Sequence, residues 1–299
     1  MVLSLENIAG INDCTINIKI LGQTTIKTNN LVTAYNSGDN FIITLSYGKP
    51  LSGVAVTVDF NGAVKNYTTD NNGQIKISTK GLTVGNYNAK ISYAGEGCYL
   101  GSTASAVVKI NKAKTKITAP AITATYNKYK DLVITLKDSN GKALSNAQVV
   151  IYLNGIKKLT TDKNGQVKIS TKDLAPKAYS VDILYNGNEN YVDSSATTKI
   201  TVKKATPTLT ASAKTFKVSV KTKKYSITLK DNTGKVMKNT KVTLTVNKKT
   251  YTVKTNSKGI ATFSITNLNK KGKFTATVTY AGSSYYNKVT KKSVITIKA

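Results

Sequence analysis

Four aspartates, Asp70, Asp138, Asp162 and Asp231, stand in polar turn segments and are the side chains best suited by type to hold a metal ion. Calcium takes about six to eight oxygen ligands, usually with several carboxylates among them. Each of these segments offers one carboxylate, three residues before a glycine: Asp70-Asn71-Asn72-Gly73, Asp138-Ser139-Asn140-Gly141, Asp162-Lys163-Asn164-Gly165 and Asp231-Asn232-Thr233-Gly234. One carboxylate per loop fits an Asx turn, in which the aspartate binds nearby backbone N–H groups and the glycine takes a left-handed conformation. No metal and no cofactor is therefore expected. Acid–base and nucleophilic chemistry are equally poorly provided for. The chain has no histidine, the commonest general base and metal ligand. Cys98 has no imidazole to activate it, and neither a Gly-x-Ser-x-Gly elbow nor a Walker loop occurs. The expectation is a protein that is not an enzyme.

The remaining chemistry is charge. All 44 basic residues are lysine, against 14 acids, for a net charge of +30. Residues 1–113 hold 9 lysines and 6 acids, residues 114–205 hold 15 and 7, and residues 206–299 hold 20 and one, Asp231. Exposed lysines also discourage edge-to-edge strand pairing, so part of this charge is ordinary protection. A charge of +19 on the last segment still exceeds the magnitude of roughly 2–8 that solubility asks of a small domain. Such a field attracts polyanions and weakens as salt screens it. Lys214, Lys217, Lys221, Lys223, Lys224, Lys241, Lys248 and Lys249 are the candidates for holding an anionic cell-wall polymer or envelope surface. Arginine, the better partner for bidentate base and phosphate contacts, is missing, and so is any nucleic-acid motif, so no specific nucleic acid is expected.

Weaker signals complete the inventory. Asn66-Tyr67-Thr68 is a single N-glycosylation sequon. Cys14 and Cys98 stand either as two free thiols or as one bridge, which spacing does not decide. Tyr99, Tyr191, Tyr285 and Tyr286 fall in loops, where they either offer faces to a glycan or fold back on the body of the protein. Tyr93, Tyr185 and Tyr280 continue an inward-facing alternation and are expected in the core.

The elements that must position these residues repeat along the chain. Thr69-Asp70-Asn71-Asn72-Gly73-Gln74 returns as Thr161-Asp162-Lys163-Asn164-Gly165-Gln166, and in altered form as Thr255-Asn256-Ser257-Lys258-Gly259-Ile260. Tyr93-Ala94-Gly95 with Tyr99 recurs as Tyr185-Asn186-Gly187 with Tyr191, and as Tyr280-Ala281-Gly282 with Tyr286. A fixed period signals an array of like units. Within each unit the hydrophobic period is two: Val54, Val56, Val58 and Phe60 alternate with Ala55, Thr57 and Asp59, and Val242, Leu244 and Val246 alternate with Lys241, Thr243 and Thr245. A strand reading Tyr87, Ala89, Ile91, Tyr93 returns as Tyr179, Val181, Ile183, Tyr185 and as Phe274, Ala276, Val278, Tyr280. Seven or eight short strands per unit, one face apolar and one polar, predict an all-β two-sheet sandwich.

The boundaries are placed at residues 24–113, 114–205 and 206–299, with 1–23 read as the tail of a preceding repeat, this chain being the C-terminal piece of a longer array. The joints Ile110-Asn111-Lys112-Ala113-Lys114 and Val202-Lys203-Lys204-Ala205-Thr206 have no Gly or Ser run, which predicts little bending. Three such units end to end would form an extended rod of roughly 100 Å. No stretch of about 18 apolar residues predicts a transmembrane span, and the first residues do not read as a signal peptide.

The run Gly48-Lys49-Pro50-Leu51-Ser52-Gly53-Val54, then Thr-Asp-x-x-Gly-Gln, then Tyr-x-Gly-x-x-x-Tyr, resembles bacterial immunoglobulin-like repeats such as those of invasin-like surface proteins. The Lys/Asn/Thr/Tyr-rich composition resembles the adhesin-like surface proteins of methanogenic archaea. The resemblance spans residues 24 to 299 and departs in the third unit, where Met237-Lys238-Asn239 replaces the Leu-Ser step. It implies tandem immunoglobulin-like β-sandwich domains on a cell surface, a stalk that assists adhesion, and no catalytic residues. The partners expected are an anionic envelope, from the lysine excess, and a glycan or protein of a host or neighbouring cell. A carbohydrate-binding module array using the loop tyrosines is the alternative.

Overall fold

The computed structural model describes residues 20–299 and contains no helix among them. Cys14 and most of the 1–23 extension lie outside the described residues. The chain divides into two compact units, one of residues 1–114 with 187–192, the other of residues 115–186 with 193–299.

In the first unit, Thr25–Thr28, Asn40–Tyr47 and Gln74–Ser78 pair antiparallel in one sheet. The facing sheet has five strands in the order Leu31–Ala34, Ser102–Asn111, Gly85–Tyr93, Ala55–Phe60, Ala63–Thr68. Leu31–Ala34 runs parallel to the last strand, pairing Leu31 with Val108 and Ala34 with Asn111. The chain therefore crosses from one sheet to the other inside what would otherwise be one strand. That crossing is the sheet-switching device of an immunoglobulin-like sandwich. A short parallel pair, Gly22–Gln23 with Tyr99–Leu100, completes the unit.

The second unit contains this arrangement twice. Thr115–Thr118, Asp131–Asp138 and Gln166–Ser170 face the five-stranded set Ile122–Thr125, Ser194–Lys203, Ala178–Tyr185, Gln148–Tyr152, Ile156–Thr160. Thr208–Thr210, Lys223–Lys230 and Ile260–Ile265 face Lys214–Lys217, Val289–Lys298, Gly272–Tyr280, Lys241–Val246, Lys249–Lys254. The protein is thus an all-β chain of tandem immunoglobulin-like sandwiches.

The period-two pattern sorts side chains as expected. Val56, Val58, Ala89, Ile91 and Tyr93 are buried together with Phe41, Ile43 and Leu45 from the opposing sheet. The third sandwich repeats this with Val242, Leu244, Val246, Ala276, Val278 and Tyr280 against Tyr225, Ile227 and Leu229. Burying such a Val or Leu side chain contributes about 1.5–3 kcal/mol, so the two facing apolar layers hold each sandwich together.

Two polar devices recur beside each core. Thr69, Thr161 and Thr255 are buried, and each hydroxyl donates to one carbonyl and accepts one N–H: Leu51 and Val54, Leu144 and Ala147, Met237 and Thr240. In the turn that follows, one side-chain oxygen takes two backbone N–H groups. Asp70 accepts from Asn72 and Gln74, Asp162 from Asn164 and Gln166, and Asn256 from Lys258 and Ile260. The glycine in each turn is left-handed (Gly73 at φ 65°, Gly165 at 69°, Gly259 at 72°) and lies against the facing strand, its N–H and carbonyl both in use.

Candidate functional site

The aspartate loops come first, because they carry the one chemistry that the residue types allowed for. In Asp70 the hydrogen bonds from the Gln74 and Asn72 backbone hold the carboxyl below its usual range. Asp138 accepts from Asn140 and Lys142 through one oxygen in the same way. These carboxylates serve turn geometry, and the described residues contain no cluster of three or more acids, histidines or cysteines that could hold a metal ion.

Asp231 does more than close its turn. It is 6% exposed and is the sole acid of residues 206–299. Its Oδ1 accepts the Thr233 N–H at 2.8 Å, the Thr233 hydroxyl at 2.7 Å and the Lys235 N–H at 3.0 Å. Its Oδ2 accepts from Asn127 Nδ2 at 3.3 Å, across the joint between the two sandwiches of the second unit. Burial works to raise the carboxyl's pKa, but the Thr233 hydroxyl and the Thr233 and Lys235 N–H groups outweigh it, so the pKa is lowered.

Asn127 is left-handed, at φ 66°, a conformation asparagine tolerates better than most residues. The turn aims its amide at Asp231 and, at 2.9 Å, at the Tyr286 hydroxyl. Beside it the Tyr126 ring lies 5.5 Å from Tyr286, edge-on at 85°, and 4.8 Å from Tyr285. Asn232 Nδ2 donates to the Tyr126 carbonyl at 2.9 Å. The linker is held as well, since Ala205 donates to the Tyr285 carbonyl at 3.0 Å and accepts from Asn287 at 2.8 Å. Burial pushes the Tyr286 hydroxyl pKa up. A cleft of about 530 Å³ opens alongside, lined by Tyr126, Asp231, Lys235, Lys238, Thr240 and Tyr286. The arrangement fixes one sandwich against the next through a charge-assisted hydrogen bond and edge-on and tilted ring contacts.

The loop tyrosines are accounted for by this geometry. Tyr286 and Tyr285 meet Tyr126, Tyr191 meets Tyr35 edge-on at 5.4 Å, and Tyr99 meets Tyr47 at 5.5 Å. Of the two expectations for these rings, a face for glycans or a fold back on the protein, Tyr99 follows the second within its own sandwich, and the other three pack on a ring from an earlier repeat. The sequence reading missed Tyr35, Tyr126 and Asn127. The signal was there in Tyr35-Asn36 and Tyr126-Asn127, which repeat and are replaced by Val218-Ser219 in the third copy. Tyr93, Tyr185 and Tyr280 are buried, as expected.

The eight candidate lysines do not share one face. Lys214 and Lys217 are exposed on an edge strand of the five-stranded sheet, and Lys241 and Lys249 on strands at its far side. Lys248 sits in the hairpin turn at φ 62°, Lys221 in a loop, and Lys224 is exposed on the opposite sheet. Lys223 is corrected: it is 2% exposed, with its ammonium on the Val220 carbonyl, so it is a core residue and presents no charge to a surface. Val220, three residues beyond the end of that edge strand at Lys217, is 41% exposed. Asn66 is exposed on Ala63–Thr68, its side-chain oxygen accepting from the Thr57 hydroxyl at 2.8 Å. Cys98 is an exposed free thiol. No helix of the described residues is long and apolar enough to cross a membrane.

Comparison with known proteins adds to the fold. A family model described as SpaA, a prealbumin-like fold domain, matches residues 44–123. That segment covers most of the first sandwich and the first strands of the second, and prealbumin-like and immunoglobulin-like domains are both two-sheet sandwiches. Among curated proteins no match to the chain is found. Similar solved structures include a Ca2+-stabilized adhesin that helps an Antarctic bacterium reach out and bind ice, at 16% identity over 94% of this chain and 76% of that one, with a TM-score of 0.30. A tetra-tandem repeat from the extending region of a large adhesion protein is 16% identical over 93% of this chain and 74% of that one, with a TM-score of 0.33. Domains A168–A170 of titin are 13% identical over 92% and 99%, with a TM-score of 0.40. At these identities and scores the likenesses carry no argument about function.

Proposed function

We propose that this chain is a non-enzymatic, adhesin-like stalk protein of the cell surface, built of immunoglobulin-like repeats at residues 24–113, 114–205 and 206–299. In this reading the first two repeats space or contact, and the basic third repeat associates with an anionic cell envelope. The observation that carries it is the joint between Asn127 and Asp231: a Gly-free linker, a buried carboxylate and an edge-on tyrosine pair resist bending, as a spacer requires. The excess of lysine in residues 206–299 supports the envelope role. The carbohydrate-array reading gains no support, since Tyr99, Tyr191, Tyr285 and Tyr286 each lie against another ring.

Purified envelope incubated with the full chain tests this. Retention at low salt, release as salt is raised, and surface labelling of intact cells are the expected results. Binding that ignores salt, or a protein found only inside cells, would sink the reading.

A further inference from the structure

The third sandwich is basic at both ends: Lys235, Lys238, Lys241 and Lys254 stand at the end that carries the joint, and the free end is a lysine tip with no acidic side chain. Four separate chain segments converge there. Lys217 pairs with Lys298 at the end of two parallel strands, and Gly272 pairs with Ile297 beside them. Lys223 pairs with Ile265 where the other sheet ends. Asn267 ties the 247–248 hairpin turn to the 266–271 loop, donating to the Val246 and Asn247 carbonyls at 3.1 and 3.0 Å and accepting from the Tyr251 hydroxyl at 2.8 Å. Lys217, Lys221, Lys248, Lys270, Lys271 and Lys298 are thereby brought to one end, all of them exposed. Asp231, the sole acid of the segment, is held in the joint at the opposite end.

The same end of the second sandwich is built differently. It also carries exposed lysines there, Lys128, Lys130, Lys172, Lys177 and Lys203, but it has Asp131 and Asp173 where the third has Lys224 and Asn267, and its loop has Ala175-Pro176-Lys177 where the third, one residue longer, has Asn269-Lys270-Lys271-Gly272. The second sandwich also has there the Tyr126-Asn127 pair that docks the next repeat, and the third has Val218-Ser219. The third end thus lacks the docking pair and both acids, so no acidic side chain offsets its lysines.

We infer that this tip is the polyanion-binding surface of the protein, and that its ligand is a flexible, base-free phosphodiester polymer of the polyol- or sugar-phosphate kind. The inference rests on the envelope role proposed above and narrows it to one end of one sandwich. Lysine binds phosphate as a point charge and does not need the planar match that arginine makes. The tip lysines come from loops and strand ends, so they suit a chain that adapts to them. The rings beside these lysines, Phe216, Tyr251 and Phe274, are half-buried against the core and offer little free face to stack a nucleobase, which sets nucleic acid apart from the favoured ligand. Lys270, Lys271 and Lys298 were not among the sequence candidates, and Lys241, at the other end of its strand, drops out of the surface.

This 299-residue chain titrated with poly(glycerol phosphate) at about 50 mM and about 200 mM salt is the test. One variant carries Lys221→Gln, Lys270→Gln and Lys271→Gln; a control carries Lys241→Gln, Lys291→Gln and Lys292→Gln, the same charge change on exposed strand positions. The tip variant should lose about tenfold or more in affinity at the lower salt, and the control about twofold or less. Equal losses in both variants would overturn the tip while leaving a basic, envelope-binding repeat in place. Tighter binding to single-stranded DNA of matched charge than to the polymer would overturn the ligand assignment. No binding of the unaltered protein to polymer or to envelope would overturn both the tip and the envelope role.

Discussion

Gly22 and Tyr47 are shaped to each other: a Cβ on Gly22 would lie 2.5 Å from the Tyr47 ring. The equivalents of Gly22 are Ala113 and Ala205, each donating its N–H to the same loop, to Asn190 and Tyr285 as Gly22 does to Cys98. The equivalents of Tyr47 are Asp138 and Asp231, two residues beyond the leucines that bond Gly165 and Gly259 as Leu45 bonds Gly73. Tyr47 packs on Tyr99, whose counterpart Tyr286 is covered by Tyr126 of the preceding sandwich. The first sandwich therefore covers its loop tyrosine with its own ring, and the missing side chain at Gly22 makes the room.

Gly22→Ala should push the ring off Tyr99 and cost about 1 kcal/mol, the size of one aromatic pair. In a Tyr47→Ala background the same change should cost nothing, leaving a coupling energy of about 1 kcal/mol. Amide exchange in Asn40–Tyr47 reads both. Additive effects would mean that the two residues do not interact.

Left-handed glycines fall into two classes that look alike in sequence. A Cβ on Gly165 would come within 2.4 Å of the Leu136 carbonyl oxygen, whereas one on Gly141, at φ 81°, meets nothing within 4 Å. Gly141→Ala should cost only the conformational strain, about 1–2 kcal/mol. Gly165→Ala must also move backbone, and should cost about 3 kcal/mol or more and lower the melting temperature further. Equal costs would contradict the close approach of that turn to its neighbouring strand.

The Asp231 carboxyl has a pKa lowered by folding. Its contribution to stability is present above the unfolded value, about 4, and is lost as pH falls through the lower folded value. Asp231→Asn should keep the turn, because Asn256 already holds an equivalent turn through the same two backbone bonds. It should lose the charge-assisted part of the joint, about 1 kcal/mol, near neutral pH. The gap in melting temperature between unaltered protein and variant should close as pH drops below about 4. A gap that is constant with pH would show that the carboxylate's charge does not stabilise the joint.

Much of the fold was legible because its determinants are local. Val56 and Val58, or Val242 and Leu244, declare the buried face by alternation alone. Asp70, Asp162 and Asn256 each cap a turn with atoms no more than four residues away, so the turn reading needed no tertiary knowledge. The repeat of Thr69, Thr161 and Thr255 was visible, but that each hydroxyl bridges two backbone groups was not, because its partners lie 14 to 18 residues away. Lysine misled in one place. Lys223 and Lys224 are indistinguishable by type, yet the first is buried on the Val220 carbonyl and the second is exposed, because the strand alternation ranks burial ahead of charge at that edge.

By itself the sequence determined a repeated, two-sheet, antiparallel sandwich rich in lysine, since alternation, turn chemistry and period are properties of neighbouring residues. Tertiary structure alone decided that Tyr126 and Asn127 meet Asp231 and Tyr286 over separations of more than 100 residues, and that lysines of four segments share one end. The joint contacts follow from how one sandwich seats on the next, and the shared lysine end from which strand ends the sheet register brings side by side, which the packing of the core sets.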